Sequence, residues 1–215
     1  MERIKSALVL VSWLASVAFA MPVRGADLVD LLPSLRQGGY VIVLRHGATD
    51  ASQKDIYPLD YSDPTKQRQL SGAGKDTARE VGASLKALGI PIGEVVSSHL
   101  TRAVETARLV TGREGTPDDL LNDSSMGSTS GMAGPAASGN TRFAEALQKR
   151  VATMPAAGTN TLIVTHKTNI QDAFGQDFAD VKEGEAVVFQ PDKSGHAKVV
   201  GRVQPADWKR LATKT

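Results

Sequence analysis

The sequence predicts an α/β protein, a three-layer α/β/α sandwich built on a mainly parallel central sheet. Two short runs, Tyr40–Leu44 and Thr161–Thr165, are dominated by valine, isoleucine and leucine, as strands buried on both faces of a parallel sheet are. Helical stripes separate such runs along the chain, and alternation of strand and helix is the mark of a parallel sheet covered on both sides. No repeat or linker divides the chain, so residues 21–215 read as one domain.

Taken in order, Met1–Ala20 comes first and differs from the rest. Arg3 and Lys5 precede an apolar stretch, Ala7–Phe19, and Ala18 and Ala20 put small residues at a cleavage site. This is the pattern of a secretory signal peptide cut after Ala20. The stretch is short for a membrane anchor, and no later segment is expected to span a bilayer. The expected location is a bacterial periplasm or outside the cell.

Asp27–Arg36 sets Leu28, Leu31, Leu32 and Leu35 on one helical stripe with Asp27 as N-cap, and Gly38-Gly39 stops it. The polar loop Asp50–Gln69 holds Asp55, Asp60, Asp63, Lys66 and Arg68, and its Tyr57-Pro58 and Asp63-Pro64 steps interrupt regular structure. A loop of that length is expected to bind something. Ser71 caps a helix reaching Leu88, with Ala78, Val81, Leu85 and Leu88 inward and Gly89 and Pro91 behind it. Glu94–Ser98 reads as a strand, and Leu100–Val110 as a helix closed by Gly112. Gly115–Asn140 is rich in glycine and serine and reads as a mobile surface excursion with little to bury. Phe143, Leu147 and Val151 mark another helix. Ala186–Gln190 and Ala197–Val203 read as a closing hairpin that turns around Asp192–Gly195.

Composition excludes some functions. Net charge is +2, with lysine and arginine scattered and aromatic residues at 5%, which argues against nucleic-acid binding. There is no cysteine, hence no disulfide, thiolate ligand or lipid attachment point. The four histidines are not paired at helical ligand spacing, so neither a metal centre nor a cofactor is expected.

Chemistry concentrates at three strand ends. The first carries Arg45-His46-Gly47, the second runs into Ser97-Ser98-His99-Leu100-Thr101-Arg102, and the third ends in His166-Lys167. The C-terminal ends of parallel strands share one edge, so two arginines and two histidines converge there. Packed together they repel one another unless an anion joins them, and a phosphoryl group is such an anion. A neutral imidazole can attack phosphorus and form a phosphohistidine. Guanidinium forks and a protonated second histidine hold the oxygens, and the helix start near Leu100 adds its positive dipole end. A carboxylic acid must protonate the leaving alkoxide and then activate water, with fixed cations carrying the electrostatic work.

Leu44-Arg45-His46-Gly47, Ser97–Ala107 and Val164-Thr165-His166 resemble the three ordered signatures of the histidine phosphatase superfamily, which includes phosphoglycerate mutases and acid phosphatases. Gln69–Gly74 resembles that family's Leu-Ser/Thr-x-x-Gly helix opening. The likeness covers about residues 38–190 and implies a phosphoglycerate mutase-like fold. It implies His46 as nucleophile, and Arg45, Arg102 and His166 as phosphate-binding residues, His166 also sharing in catalysis. Mutase-like members place their acid in a Leu-x-Glu segment. Here Leu121-Asn122-Asp123 stands in its place, making Asp123 the candidate acid, with Asp118, Asp119 or none as alternatives. The acid-phosphatase branch carries His-Asp at the third motif, where this chain has His166-Lys167. His99 stands where relatives carry proline, and a rim position is expected for it.

Other charged residues have plainer readings. His196 reads as a turn neighbour and Glu105 as a surface ion-pair residue, while Lys54, Lys66, Arg68 and Lys167 read as solvated charge. The function expected is an exported, metal-independent phosphatase acting on phosphate monoesters of a small molecule or glycan, such as a sugar or lipopolysaccharide phosphate. The alternatives are a phosphohistidine phosphatase and a non-catalytic phosphate or sugar-phosphate binder. Substrate and oligomeric state are not legible in the sequence.

Overall fold

A computed structural model describes residues 25–127 and 141–214. The predicted signal peptide, residues 1–20, and the second half of the predicted excursion, residues 128–140, lie outside the described residues. Six strands form one sheet: β1 (Val41–Arg45), β2 (Ile92–Ser97), β3 (Thr116–Pro117), β4 (Asn160–Thr165), β5 (Ala186–Pro191) and β6 (Ala197–Val203). Their order is β3-β2-β4-β1-β5-β6. The β3, β2, β4 and β1 strands run parallel, while β5 and β6 close the sheet as an antiparallel hairpin.

Strand alternation decides which residues meet which helical layer. Ile42, Leu44, Leu162 and Val164 pack against α1 (Gly25–Gln37), α2 (Gly72–Ala87), α3 (Thr101–Thr111) and α6 (Pro205–Ala212), through Leu35, Val81, Ala107 and Trp208 among others. Val41, Val43, Ile163 and Val187 face α4 (Thr141–Val151) and α5 (Lys167–Phe174), through Leu147 and Ile170. Each fully buried aliphatic side chain contributes about 1.5–3 kcal/mol, so the three layers hold as expected from the apolar runs.

The sheet is stapled at its N-terminal edge. Asn160, fully buried, donates from Nδ2 to Leu35 O and Pro91 O and accepts from Tyr40 N, tying α1, β1 and the entry to β2 together. Gly38 sits there at φ +85°, where an added Cβ would strike the Thr159 backbone.

Four features depart from expectation. The α1 helix starts at Gly25, so Asp27 lies within it and is not the N-cap. Short helices α5 and α6 were not foreseen. They bury two residues each besides a buried Asn169 in α5, too few to make a stripe. The segment 115–127 is not a surface excursion: β3 pairs with β2, and Leu121 is fully buried. Arg68 is not merely solvated charge, as the site shows. Among the described residues no helix is long and apolar enough to cross a membrane.

Candidate active site

β1, β2 and β4 deliver their last residues to one edge. His46 N donates to Thr165 O at 3.0 Å and Ser98 N donates to Val164 O at 3.0 Å, so backbone pairing continues past the strands and sets the spacing of the groups that follow. The rings of His46 and His166 come to 5.1 Å between centroids, and both side chains are buried. Arg45, His46, Arg102, Asp123 and His166 are thus brought together.

His46 is oriented by its own turn. Its Nδ1 lies 2.8 Å from Gly47 O, an acceptor only, so Nδ1 carries the proton and Nε2 keeps its lone pair. Burial, then the charges of Arg102, Arg45 and Arg68, lower its pKa to about 3 against the opposing pull of Gly47 O. The ring is therefore neutral at ordinary pH. Gly47 N donates to Thr106 Oγ1 at 3.0 Å, and that hydroxyl donates to Arg102 O at 2.7 Å, so one threonine of α3 joins the first and second motifs.

The tautomer of His166 follows from Ser98. Ser98 Oγ lies 3.0 Å from Asn122 Oδ1, which also accepts from His99 N at 2.8 Å. The single hydroxyl proton goes to that carbonyl oxygen, so Ser98 Oγ accepts from Leu100 N at 3.1 Å and from His166 Nε2 at 2.9 Å. His166 Nδ1 is then the atom turned to the pocket, buried and without a hydrogen-bond partner among the described residues. Burial pushes the His166 pKa well down, and the Asp123 carboxylate opposes it.

Asp123 is held from one side. Its Oδ1 accepts from Thr168 Oγ1 at 2.7 Å, Ser125 Oγ at 2.6 Å and Ser125 N at 3.1 Å. Its Oδ2 faces Arg102 Nη2 at 3.5 Å and His166 Nδ1 at 3.9 Å. Burial acts to raise its pKa and is outweighed by His166, the Ser125 and Thr168 hydrogen bonds and Arg102, which bring it to about 2. The other candidate acids are elsewhere. Asp118 accepts from Arg150 Nε at 2.7 Å, and Asp119, largely exposed, lies 3.4 Å from His99 Nε2.

Order in this glycine- and serine-rich segment comes from polar stitching. Buried Asn169 donates to Asn122 O and accepts from Ser124 N, Thr165 Oγ1 donates to Leu121 O, and Ser124 Oγ donates to Asp172. A reading that looks for apolar groups to bury does not see these bonds.

The remaining cage is cationic. Arg45 donates from Nη1 to Val181 O at 2.7 Å and faces Glu183 at 3.5 Å. Arg102, fully buried, gives Nη1 to both oxygens of Asp55 at 3.2 Å. Sequence reasoning passed over Asp55, because a loop carboxylate has no periodicity to place it. Arg68, expected to be solvated, is half-buried, and its Nε is buried without a partner among the described residues. Its charge lowers the pKa of Arg45, His46, Arg102 and His166 alike.

His99 occupies the rim, a third exposed, with its ring 5.3 Å from that of Tyr61. His196 contacts Ser194 in the β5–β6 turn, and Glu105 pairs with Lys75 at 3.1 Å. Lys54 and Lys66 are exposed. Lys167 is half-buried at the start of α5.

The 2,3-bisphosphoglycerate-dependent phosphoglycerate mutase of Beijerinckia indica is 33% identical over 98 residues, covering 43% of this chain and 45% of the mutase. This chain thus matches less than half the length of that curated relative. The protein histidine phosphatase SixA, solved with tungstate, superposes with a TM-score of 0.54 at 17% identity over 78% of this chain and 98% of its own. Bacillus stearothermophilus YhfR gives a TM-score of 0.54 at 19% identity over 74% and 94%. At such identities these two likenesses speak to the fold. Residues 41–161 match the family model of the histidine phosphatase superfamily, branch 1, and the chain belongs to that superfamily.

Proposed function

We propose that this chain hydrolyses phosphate monoesters through a phosphohistidine at His46, outside the cytoplasm and without a metal ion. The observation that carries this reading is the His46 tautomer: with Nδ1 committed to Gly47 O, Nε2 keeps the lone pair of a neutral ring whose centroid lies 5.1 Å from that of His166, in the field of three arginines. Nε2 attacks phosphorus, and the ester P–O bond breaks. Arg45, Arg102 and His166 hold the phosphoryl oxygens, His166 donating from Nδ1 once a dianion beside it raises its pKa. Asp123 Oδ2 supplies the proton to the leaving alkoxide. Alone it is ionised, and the negative charge of the bound phosphoryl group raises its affinity for the proton that enters with substrate. In the second half, Asp123 takes a proton from water, the water oxygen attacks phosphorus, and the N–P bond breaks to release phosphate.

Export rests on the signal pattern of residues 1–20, and a sugar or lipopolysaccharide phosphate is the substrate class that suits an exported enzyme. N-terminal sequencing of the mature protein from cell fractions tests the first point: a start at Met21 in the periplasm or medium is expected. A full-length chain in the cytoplasm contradicts it. A panel of sugar phosphates, nucleotides and phosphopeptides tests the second.

The chemistry is tested with an aryl phosphate in EDTA. Wild type is expected to turn over and to trap an acid-labile, alkali-stable phosphoryl group. Activity surviving in His46→Ala would falsify the assignment. A second reading, a phosphohistidine phosphatase, is favoured by one observation: Asp123 is held near 2, a poor proton donor, and a phosphoramidate leaves with less need of one.

A further inference from the structure

We propose that Arg68 is a third phosphoryl-binding guanidinium, carried into the site by the 50–69 loop, and that Asp55 is the positioning residue that locks it to Arg102. This rests on the reading that an oxyanion occupies the space between His46 and His166.

The loop is closed at its base and folded on itself. Thr49 bridges to Leu70, Asp50 N donates to Gln69 O at 3.0 Å, Gln69 N to Gln53 Oε1 at 2.9 Å, and Ile56 N to Lys66 O at 2.8 Å. Two anchors dock it on the start of α3. Buried Gln67 accepts from Thr101 N at 2.9 Å, and Asp55 accepts from Arg102 Nη1 on both oxygens. Arg68 follows Gln67 directly, and its backbone N donates to Asp55 Oδ1 at 2.9 Å. One carboxylate therefore holds the main chain of Arg68 and the side chain of Arg102 at the same point.

The charges are unevenly matched. Arg102 meets a carboxylate at each terminal nitrogen, Asp55 and Asp123, and Arg45 meets Glu183. Among the described residues no ion pair holds the Arg68 guanidinium, and its buried Nε lacks a partner. A buried donor without an acceptor is costly. A phosphoryl oxygen is the acceptor that fits, since planar guanidinium groups bind such oxygens in two-pronged fashion. The Arg68 charge also acts on Arg45, His46, Arg102 and His166, four of the five groups gathered at the site.

The test uses the full chain, with inorganic phosphate affinity from calorimetry, kcat and KM on an aryl phosphate, and the melting temperature as a check on folding. Arg68→Ala is expected to weaken phosphate binding by about tenfold or more with melting unchanged, from loss of charge-assisted hydrogen bonds. Arg68→Lys, which keeps the charge without the fork, should fall between. A smaller loss in Arg68→Ala, or in Arg68→Gln should alanine loosen the loop, overturns the binding role. Asp55→Asn separates positioning from plain structure. Loss of the placement of Arg68 and Arg102 should lower kcat by about tenfold with melting unchanged, and weaken phosphate binding by less than Arg68→Ala does, because the carboxylate's own repulsion of the oxyanion goes with it. An unchanged kcat, or a melting temperature that falls along with it, overturns the role of Asp55. Wild type that binds phosphate but turns nothing over defeats the hydrolase reading, and the Arg68 affinity comparison still decides its own question. Wild type that binds no phosphate defeats both.

Discussion

The imidazoles of His46 and His166 lie 5.1 Å apart with their planes inclined at 56°, each at the end of one of two neighbouring parallel strands. Both are buried, and burial is the first cause that keeps each neutral. Two neutral rings tolerate this closeness where two imidazoliums would not. Three arginines nearby set the sign of the site, and in the proposed reaction the rings supply one lone pair for attack and one nitrogen for an incoming oxygen.

Stability should carry the mark of His46. Its pKa is lowered from 6.5 to about 3 in the folded chain, so the unfolded chain binds the proton first. The fold thus loses stability as pH falls below the unfolded value. From pH 7 to pH 5 this one group costs about 2 kcal/mol. Denaturant titrations at both pH values should show wild type losing that much more than His46→Asn; equal losses contradict the burial account.

Asp123 acts in the same sense on stability, in a more acidic window. Its pKa is lowered from 3.8 to about 2, so it stabilises the fold above the unfolded value and that contribution disappears as pH falls toward 2. For turnover, Asp123→Asn should slow alkyl phosphate hydrolysis by about 10²–10⁴-fold. With 4-nitrophenyl phosphate the leaving group departs unaided, so the initial burst should survive while steady turnover drops. Equal alkyl ester rates in wild type and variant discard Asp123 as acid and base.

Gly74 explains the glycine of the Leu-Ser-x-x-Gly opening. Ser71 Oγ accepts from Gly74 N at 3.0 Å, and a Cβ on Gly74 would collide with Ala48 O, just past the His46 turn. Gly74→Ala should cost about 1–3 kcal/mol and lower kcat, because helix and turn must part. Gly72→Ala is the control, since its Cβ meets nothing within 4 Å. Equal melting temperatures for the two variants sink the explanation.

Glu185 supports the first motif from behind. It is buried, accepts from Arg202 Nε at 2.6 Å and Lys182 N at 2.8 Å, and its carbonyl receives Arg45 N at 3.0 Å. Glu185→Ala leaves Lys182 N without its acceptor, while Arg202 keeps Asp180 at 2.9 Å, and should cost about 1–3 kcal/mol in chemical denaturation, with activity falling alongside. A loss under about 1 kcal/mol shows Glu185 to be dispensable.

The parts legible in sequence are those whose cause is local or periodic. The β1 and β4 strands announce themselves by apolar runs, α2 and α3 by stripes, and Arg45, His46, Arg102 and His166 by standing where those elements end. Asp55 and Arg68 are different. They reach the pocket through a loop fold made of single hydrogen bonds, such as Gln67 to Thr101 N, which leave no period behind. The same holds for residues 121–124, where Asn169 and Thr165 replace apolar packing as the source of order. Short helices escape for a third reason: α6 begins with a capping box between Gln204 and Asp207, but two buried side chains are too few to count.

The last rung between β1 and β4 pairs Arg45 with Thr165, and the two histidines come next on either side. The gap between the two rings is therefore an extension of the ladder, measured out by main-chain geometry and anchored at the far end by Asn160. Lengthening or rewriting the loops that overhang it alters which molecule gets in without moving either ring. A core substitution that slips the register by a single residue does the reverse, leaving the entrance intact and the machinery out of alignment.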